Sequence, residues 1–295
     1  MRQALPDPFR LDRAALRAGF ERAGAGYDEA AVPQAHVRAE LLSRLELVNL
    51  DPKVIVDLGC GTGQGAKALK RRFRGASVIA LDVAASMLKQ AARHSSWLRP
   101  LLPVRADALR LPLTDGVVDL VFSSLLLHWV NDLDAVLAEV RRVLAPGGFF
   151  SFATLGPDTL RELRQAWSAA DPGLRVNGFR DMHDVGEALS RAGFSEPVLD
   201  VERLTVTYDD VAALRHDLRA TGAGNACAAR PRGLTTPRSW QRMVAAYESL
   251  RSGGTLPATC EVVYGAAWNG GSRPGAAVRQ GETRIPVHAI GRRRP

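Results

Sequence analysis

The sequence predicts an α/β fold of the doubly wound, Rossmann-like kind: a mostly parallel, seven-stranded sheet with helices on both faces. Three features of the 295 residues carry that expectation. Strand and helix signals alternate strictly from Lys53 to Leu155, which calls for parallel strands joined by right-handed crossovers. The first strand, KVIVDLG (53–59), is a continuous apolar run, as expected of a strand buried on both faces. It runs into a glycine-rich turn that opens a helix.

Before that strand, AALRAGFERA and QAHVRAELLSRLEL carry apolar residues at three- and four-residue spacing and predict two helices. GAGYDEAAVP breaks them and sets Tyr27 and Asp28 on a junction. After it come a helix in GQGAKALKRRF, a strand SVIALD (77–82) and a helix in ASMLKQAARH. Two further strands follow, PVRAD (103–107) and VVDLVFSS (117–124). LDAVLAEVRRVL (133–144) is the clearest amphipathic helix, and APGG is expected to end it and turn the chain into a fifth strand, FFSFATL (149–155). Helices are then expected in DTLRELRQAWSAA and MHDVGEALSRAG, and a strand in VLDVERLTVTY (198–208). A mostly helical stretch at 209–251 precedes a last strand, TCEVVYGAAW (259–268). The expected layout is an N-terminal helical lid (1–50), a ligand-binding core (51–208), a helical substrate or partner insertion (209–258), and a final strand with a basic tail (259–295).

Composition narrows the class. With 46% hydrophobic and 24% charged residues the chain is neither collagen-like nor disordered. Cys60, Cys227 and Cys260 are too few and too scattered for a disulfide framework or a metal cluster, so no metal is expected. The N-terminus lacks the apolar core of a signal peptide, and the longest apolar patch, Val117–Val130, is too short and too polar to span a membrane. A cytoplasmic protein without a membrane partner is expected, with a monomer as one possible state. The net charge of +8 is uneven: residues 211–295 hold 13 arginines against 4 acidic residues, while the first 210 are nearly neutral. Arg230, Arg232, Arg238 and Arg242 cluster there and call for an acidic partner. Nucleic acid ranks low, because no helix-turn-helix, zinc finger or aromatic stacking surface accompanies them.

The most informative segment is VDLGCGTGQG (56–65). Gly59, Gly61 and Gly63, with Cys60 between them, let the backbone approach a ligand closely. Their spacing is not that of the dinucleotide fingerprint, and Asp57 would repel a diphosphate but suit an ammonium group. Asp82, followed by Val83 at the end of the second strand, is placed to accept from both hydroxyls of a ribose. Asp107 and Ala108 are placed for an exocyclic adenine amine, and Ser124 for a further cofactor contact. An ammonium, a ribose diol and an adenine without phosphate describe S-adenosylmethionine, with S-adenosylhomocysteine as the product.

DLGCGTG, LD, RADALRLPL, DLVFSSLLLHWV and LAPGG, in that order, resemble the class I S-adenosylmethionine-dependent methyltransferases over roughly residues 50–155. FERAGAGYDEAAVPQ (20–34), FATLGPDTLRELR (152–164), FRDMHDVGEALSRAGF (179–194), LRATGAGNA (218–226), RGLT (232–235) and PATCEVVYGAAW extend the resemblance to the BioC family, the malonyl-acyl carrier protein O-methyltransferases of biotin synthesis. The resemblance implies methylation of the free carboxylate of a malonyl thioester, with an acidic acyl carrier protein bearing malonyl-phosphopantetheine as partner. That carboxylate ionises near ~4, so no general base is required. Tyr27, on the lid, and Arg219, before a glycine-rich turn, are the candidate catalytic residues, with Arg180 as a second anchor candidate. His128 and Trp129 are expected in the pocket wall. A methyltransferase for another small acid or a quinone, and a methyltransferase-fold assembly factor or hydroxylase-like protein, stay open as alternatives. A quinone enzyme would need a base and an apolar membrane face, and the LRATGAGNA and RGLT segments speak against the assembly factor.

Overall fold

A computed structural model describes residues 9–24 and 26–270. The strands are β1 (Val54–Leu58), β2 (Ser77–Asp82), β3 (Leu101–Arg105), β4 (Val118–Ser124), β5 (Leu144–Leu155), β6 (Phe194–Tyr208) and β7 (Leu256–Asn269). They form one sheet in the order β3-β2-β1-β4-β5-β7-β6. The pairs from β3 to β5 are parallel, and β7 runs antiparallel to both β5 and β6. The chain reverses direction beside β1, so the carboxyl ends of β1, β2 and β4 gather at the switch point where such sheets bind ligands.

Three expectations shift. The third strand begins and ends earlier than expected, so Asp107 falls in the turn beyond it. APGG does not leave the sheet: β5 already starts at Leu144, which pairs with Val118. Gly147, at φ +71, lies in a bulge that brings Phe149 opposite Leu120. The junction around Tyr27 is itself a single helical turn, α2 (Tyr27–Ala30), between α1 (Arg13–Ala23) and α3 (Val32–Arg44). The basic tail from residue 271 lies outside the described residues.

Alternation along the strands sorts side chains into two cores. Val56, Val121, Phe150 and Phe152 face α6 (Leu133–Val143) and α8 (Met182–Arg191). Ile55, Leu120, Phe122 and Phe149 face α3, α4 (Gln64–Arg72) and α5 (Ala85–Ala92). Period-two burial of this kind fixes the register, because a one-residue slip would turn each set outward. A third core joins α7 (Arg161–Ser168), α9 (Val211–Ala220) and α10 (Pro237–Glu248) around Met243, Tyr247 and Leu256. Among the described residues, no helix is long and apolar enough to cross a membrane.

Gly265 in β7 sits under the Phe152 ring, where an added Cβ would stand 2.1 Å from Cζ. Gly265→Ala should therefore destabilise the protein by about 1–3 kcal/mol through overpacking, read as a lowered urea midpoint with an unchanged m-value.

Candidate active site

A cavity of about 580 Å³ opens where β1, β2 and β4 end. Gly59, Gly61, Asp82, Val83, Asp107, Ala108 and Ser124 line it, together with Tyr27 and Trp129. Asp57, Cys60 and Gly63 do not. Cys60 is buried beneath the loop, its amide donating to the Leu81 carbonyl (3.0 Å). Gly63, at φ +84, caps α4 and packs so tightly on Ala91 that a Cβ would lie 2.6 Å from its Cβ. Asp57 lies one layer behind the wall, 2% exposed, and its Oδ2 has no hydrogen-bond partner. Burial pushes its carboxyl up to about 7, although the Ala66 amide favours the anion.

Asp82 is held by two backbone amides, Gly61 N–H to Oδ2 (3.0 Å) and Ala84 N–H to Oδ1 (2.9 Å). Its carboxylate is thus fixed in place with lone pairs remaining, although burial raises its pKa. Asp107 accepts from the Leu109 amide at Oδ1 (3.0 Å) and from Arg13 of α1 at Oδ2. S-adenosylmethionine fits these residues. The glycines admit its backbone-close approach, Asp82 has acceptors free for a ribose, and the Asp57 carboxyl, with Oδ2 unpaired, lies just behind the glycine loop.

The lid is fastened by side chains whose partners are remote in sequence. Glu21 accepts from the amides of Ala85 and Ser86, both at 2.9 Å, and so caps α5, whose own N-cap is Ala84. Asp28 accepts from Thr62 Oγ1 (2.6 Å) and Gln64 Nε2 (2.7 Å), tying α2 to the glycine loop. Neither contact is legible from sequence, since Glu21 lies inside a helix and Asp28 in the break after it. Tyr27 faces the cavity, and burial raises its hydroxyl to about 12, so it stays protonated.

A second cavity, about 140 Å³, adjoins the first and shares Trp129 with it. Leu160, Leu163, Val176, Phe179, Tyr208 and Leu218 give it a largely apolar wall. Arg175 and Gln34 contribute polar groups. Leu125 beside the first cavity and Leu160 beside the second both hold left-handed backbone, φ 61 and 55. Each is kept there by an amide bonded to the next strand, to Ala153 O and Thr259 O, both at 2.8 Å.

The remaining candidates fall elsewhere. His128 is buried behind Trp129, its ring 4.8 Å from that indole and 5.8 Å from Phe179, and lines neither cavity. Burial drives its pKa down to about 3, so the ring is neutral. Arg180 is also buried and donates to the carbonyls of Val130 (3.0 Å) and Asn131 (2.9 Å), bracing the loop that carries Trp129 rather than meeting a ligand. Arg219 is exposed near the end of α9 and lines neither cavity; the wall is built by Leu214, Asp217, Leu218 and Thr221 on another face of that helix. The arginine that does reach the second cavity, Arg175, was missed, since LRVNGF carries no spacing that sets it apart from other loop arginines. Arg230 pairs with Asp12 (3.2 Å), whereas Arg232, Arg238 and Arg242 are exposed, Arg242 also donating to Ala170 O (2.6 Å).

Residues 56–152 match a family model described as a methyltransferase domain. The malonyl-acyl carrier protein O-methyltransferase of Laribacter hongkongensis is 48% identical over 292 residues, covering 96% of this chain and 98% of the relative. That of Gallionella capsiferriformans is 46% identical, covering 92% and 96%. Among solved structures, the YcgJ protein of Bacillus subtilis shares the fold at a TM-score of 0.58 and 15% identity, covering 81% of this chain and 100% of its own.

Two outcomes follow from the geometry. A cation bound near Asp57 favours its carboxylate, so affinity for S-adenosylmethionine should rise from about pH 6 to about pH 8 as the acid loses its proton. Asp57→Asn should bind more weakly at the upper end and flatten that profile in titration calorimetry. Asp28→Ala should raise the KM for S-adenosylmethionine roughly threefold to tenfold by releasing α2, with little change in melting temperature.

Proposed function

The chain belongs to the malonyl-acyl carrier protein O-methyltransferases, enzymes of the class I S-adenosylmethionine-dependent fold, and on that premise we propose a role for each part of its site. The protein transfers a methyl group to the free carboxylate of a malonyl thioester carried by acyl carrier protein, giving the methyl ester that opens pimeloyl synthesis for biotin. The observation that carries this reading is the small apolar cavity beside the cofactor's, built by segments outside the cofactor half and meeting it at Trp129.

S-adenosylmethionine supplies an electrophilic methyl on a sulfonium and leaves as S-adenosylhomocysteine. Asp82 and Asp107 orient its ribose and adenine, Asp57 offsets its ammonium, and Ser124 and the Gly59–Gly61 backbone complete the cradle. The substrate carboxylate is already an anion at neutral pH, so the site needs no general base. A neutral, buried His128 agrees with this chemistry.

The residues contribute by position. Tyr27, protonated and facing the cavity, donates its O–H to one carboxylate oxygen and leaves the other toward the methyl. Trp129, with Phe20 packed edge-on against it at 5.5 Å, excludes water from the path between the cavities. Alignment of this kind supplies up to roughly 7–11 kcal/mol in favourable systems. The exposed Arg232 and Arg238 steer the carrier, which we take to be acidic, toward the insertion.

Incubation with labelled S-adenosylmethionine and malonyl-, succinyl- or acetyl-carrier protein tests the reading. A base-labile methyl ester on malonyl-carrier protein alone is expected. Absence of label on every acyl carrier overturns the reading.

A further inference from the structure

The second cavity contains a guanidinium with one donor left over. Arg175 places its Nη2 on the Asp171 carboxylate, its Nη1 on Thr235 Oγ1 (3.1 Å) and its flat face over the Trp167 ring, 4.9 Å from the centroid. Asp171 is itself fixed by the Gly173 amide (2.7 Å). Three contacts thus set the plane and direction of a side chain that is only 15% exposed. Its Nε is buried and has no acceptor. Gln34, from α3, lines the same cavity and also has a buried amide oxygen without a partner. Those two and Asp57 Oδ2 are the orphaned buried side-chain polar atoms among the described residues, so two of the three meet at one small cavity.

Buried donors are normally satisfied, and an unpaired N–H on a rigid side chain that lines a cavity points to an acceptor on the molecule that fills it. A malonyl thioester offers two candidates, its carboxylate and its thioester carbonyl. Position decides between them. The charge of Arg175 is matched by Asp171, which Arg242 also faces, so no unbalanced positive charge calls for a second anion. The substrate carboxylate, moreover, must meet the methyl at the Trp129 boundary.

We infer that Arg175 is a positioning residue that holds the thioester carbonyl of the substrate through Nε–H, so that the free carboxylate is presented toward Trp129 and the cofactor. The inference rests on the malonyl-carrier reading above.

A cycle across protein and substrate tests it. The wild type and Arg175→Gln are each assayed with malonyl-carrier protein and with the thioether analogue whose carbonyl is replaced by a methylene. On the malonyl substrate, Arg175→Gln should lower kcat/KM roughly tenfold to hundredfold. On the thioether it should lower it little, because the acceptor is already gone. Equal losses on both substrates overturn the inference, since Arg175 would then act on the carboxylate or on the fold alone. So does an unchanged kcat/KM on malonyl. Arg175→Lys, which keeps the charge but not the fixed fork, should be as impaired on malonyl as Arg175→Gln and equally indifferent to the thioether. A wild type inactive on malonyl-carrier protein would instead sink the underlying reading.

Discussion

The backbone of Leu11 is where the walls of both cavities are tied together. Its N–H donates to Asn131 Oδ1 (2.8 Å) and its carbonyl accepts from Asn131 Nδ2 (3.0 Å), a reciprocal pair that joins the lid to the loop after Trp129. On its other side Leu11 pairs with Cys227 of the insertion, flanked by Asp12 N–H to Ala226 O (2.8 Å) and Ala228 N–H to Arg10 O (2.7 Å). The Leu11 side chain is 4% exposed, so burial and hydrogen bonding act at one point. Arg180 completes the tie by holding the Val130 and Asn131 carbonyls from beneath. The N-terminal segment, the loop after Trp129 and residues 226–228 are therefore joined at one residue. On the mechanism proposed above, in which alignment replaces an acid or base, such joints matter more than any reactive side chain.

The lid is held largely by carboxylates accepting from N–H and O–H donors. Asp12 and Glu21 are both kept below the ordinary carboxylate range, chiefly by backbone amides at helix starts. A group whose folded pKa is lowered stabilises the fold above its unfolded value, and that stabilisation is lost as pH falls through the folded one. Asp57 behaves oppositely: burial raises its pKa, although the Ala66 amide and the Arg38 charge favour the anion. The N-terminal contacts are thus weakened in acid, whereas the Asp57 carboxyl changes charge near neutrality.

Much of this was legible in the sequence because it is local. Continuous apolar runs located β1, β2 and β4, and the glycine turn, with Asp82 at the end of β2 and Asp107 just past β3, pointed to the cofactor. Interactions between distant segments were not legible. The Glu21 cap on α5 and the Asp28 clamp on the glycine loop join residues far apart along the chain, and an acidic residue in a helix break looks the same with or without such a partner. Arginine is common in this chain, so composition could not distinguish Arg175, which meets the second cavity, from Arg219, which faces solvent, or Arg180, which braces a loop. The bulge at Gly147 was missed for a related reason: Pro-Gly-Gly reads as a stop until the neighbouring strand supplies hydrogen bonds that carry β5 through it.

Trp129 belongs to the walls of two chambers at once, so neither chamber has a shape independent of the other's contents. Any displacement of the indole made by one guest is felt by the second, and thermodynamic reciprocity requires the influence to be equal in both directions. On the function proposed above, donor and acceptor are those two guests. Conversion of the anionic acceptor to a neutral ester and of the cationic donor to a neutral thioether alters both sides of the link in the same event. On that reading the shared partition links turnover to release through one change in charge.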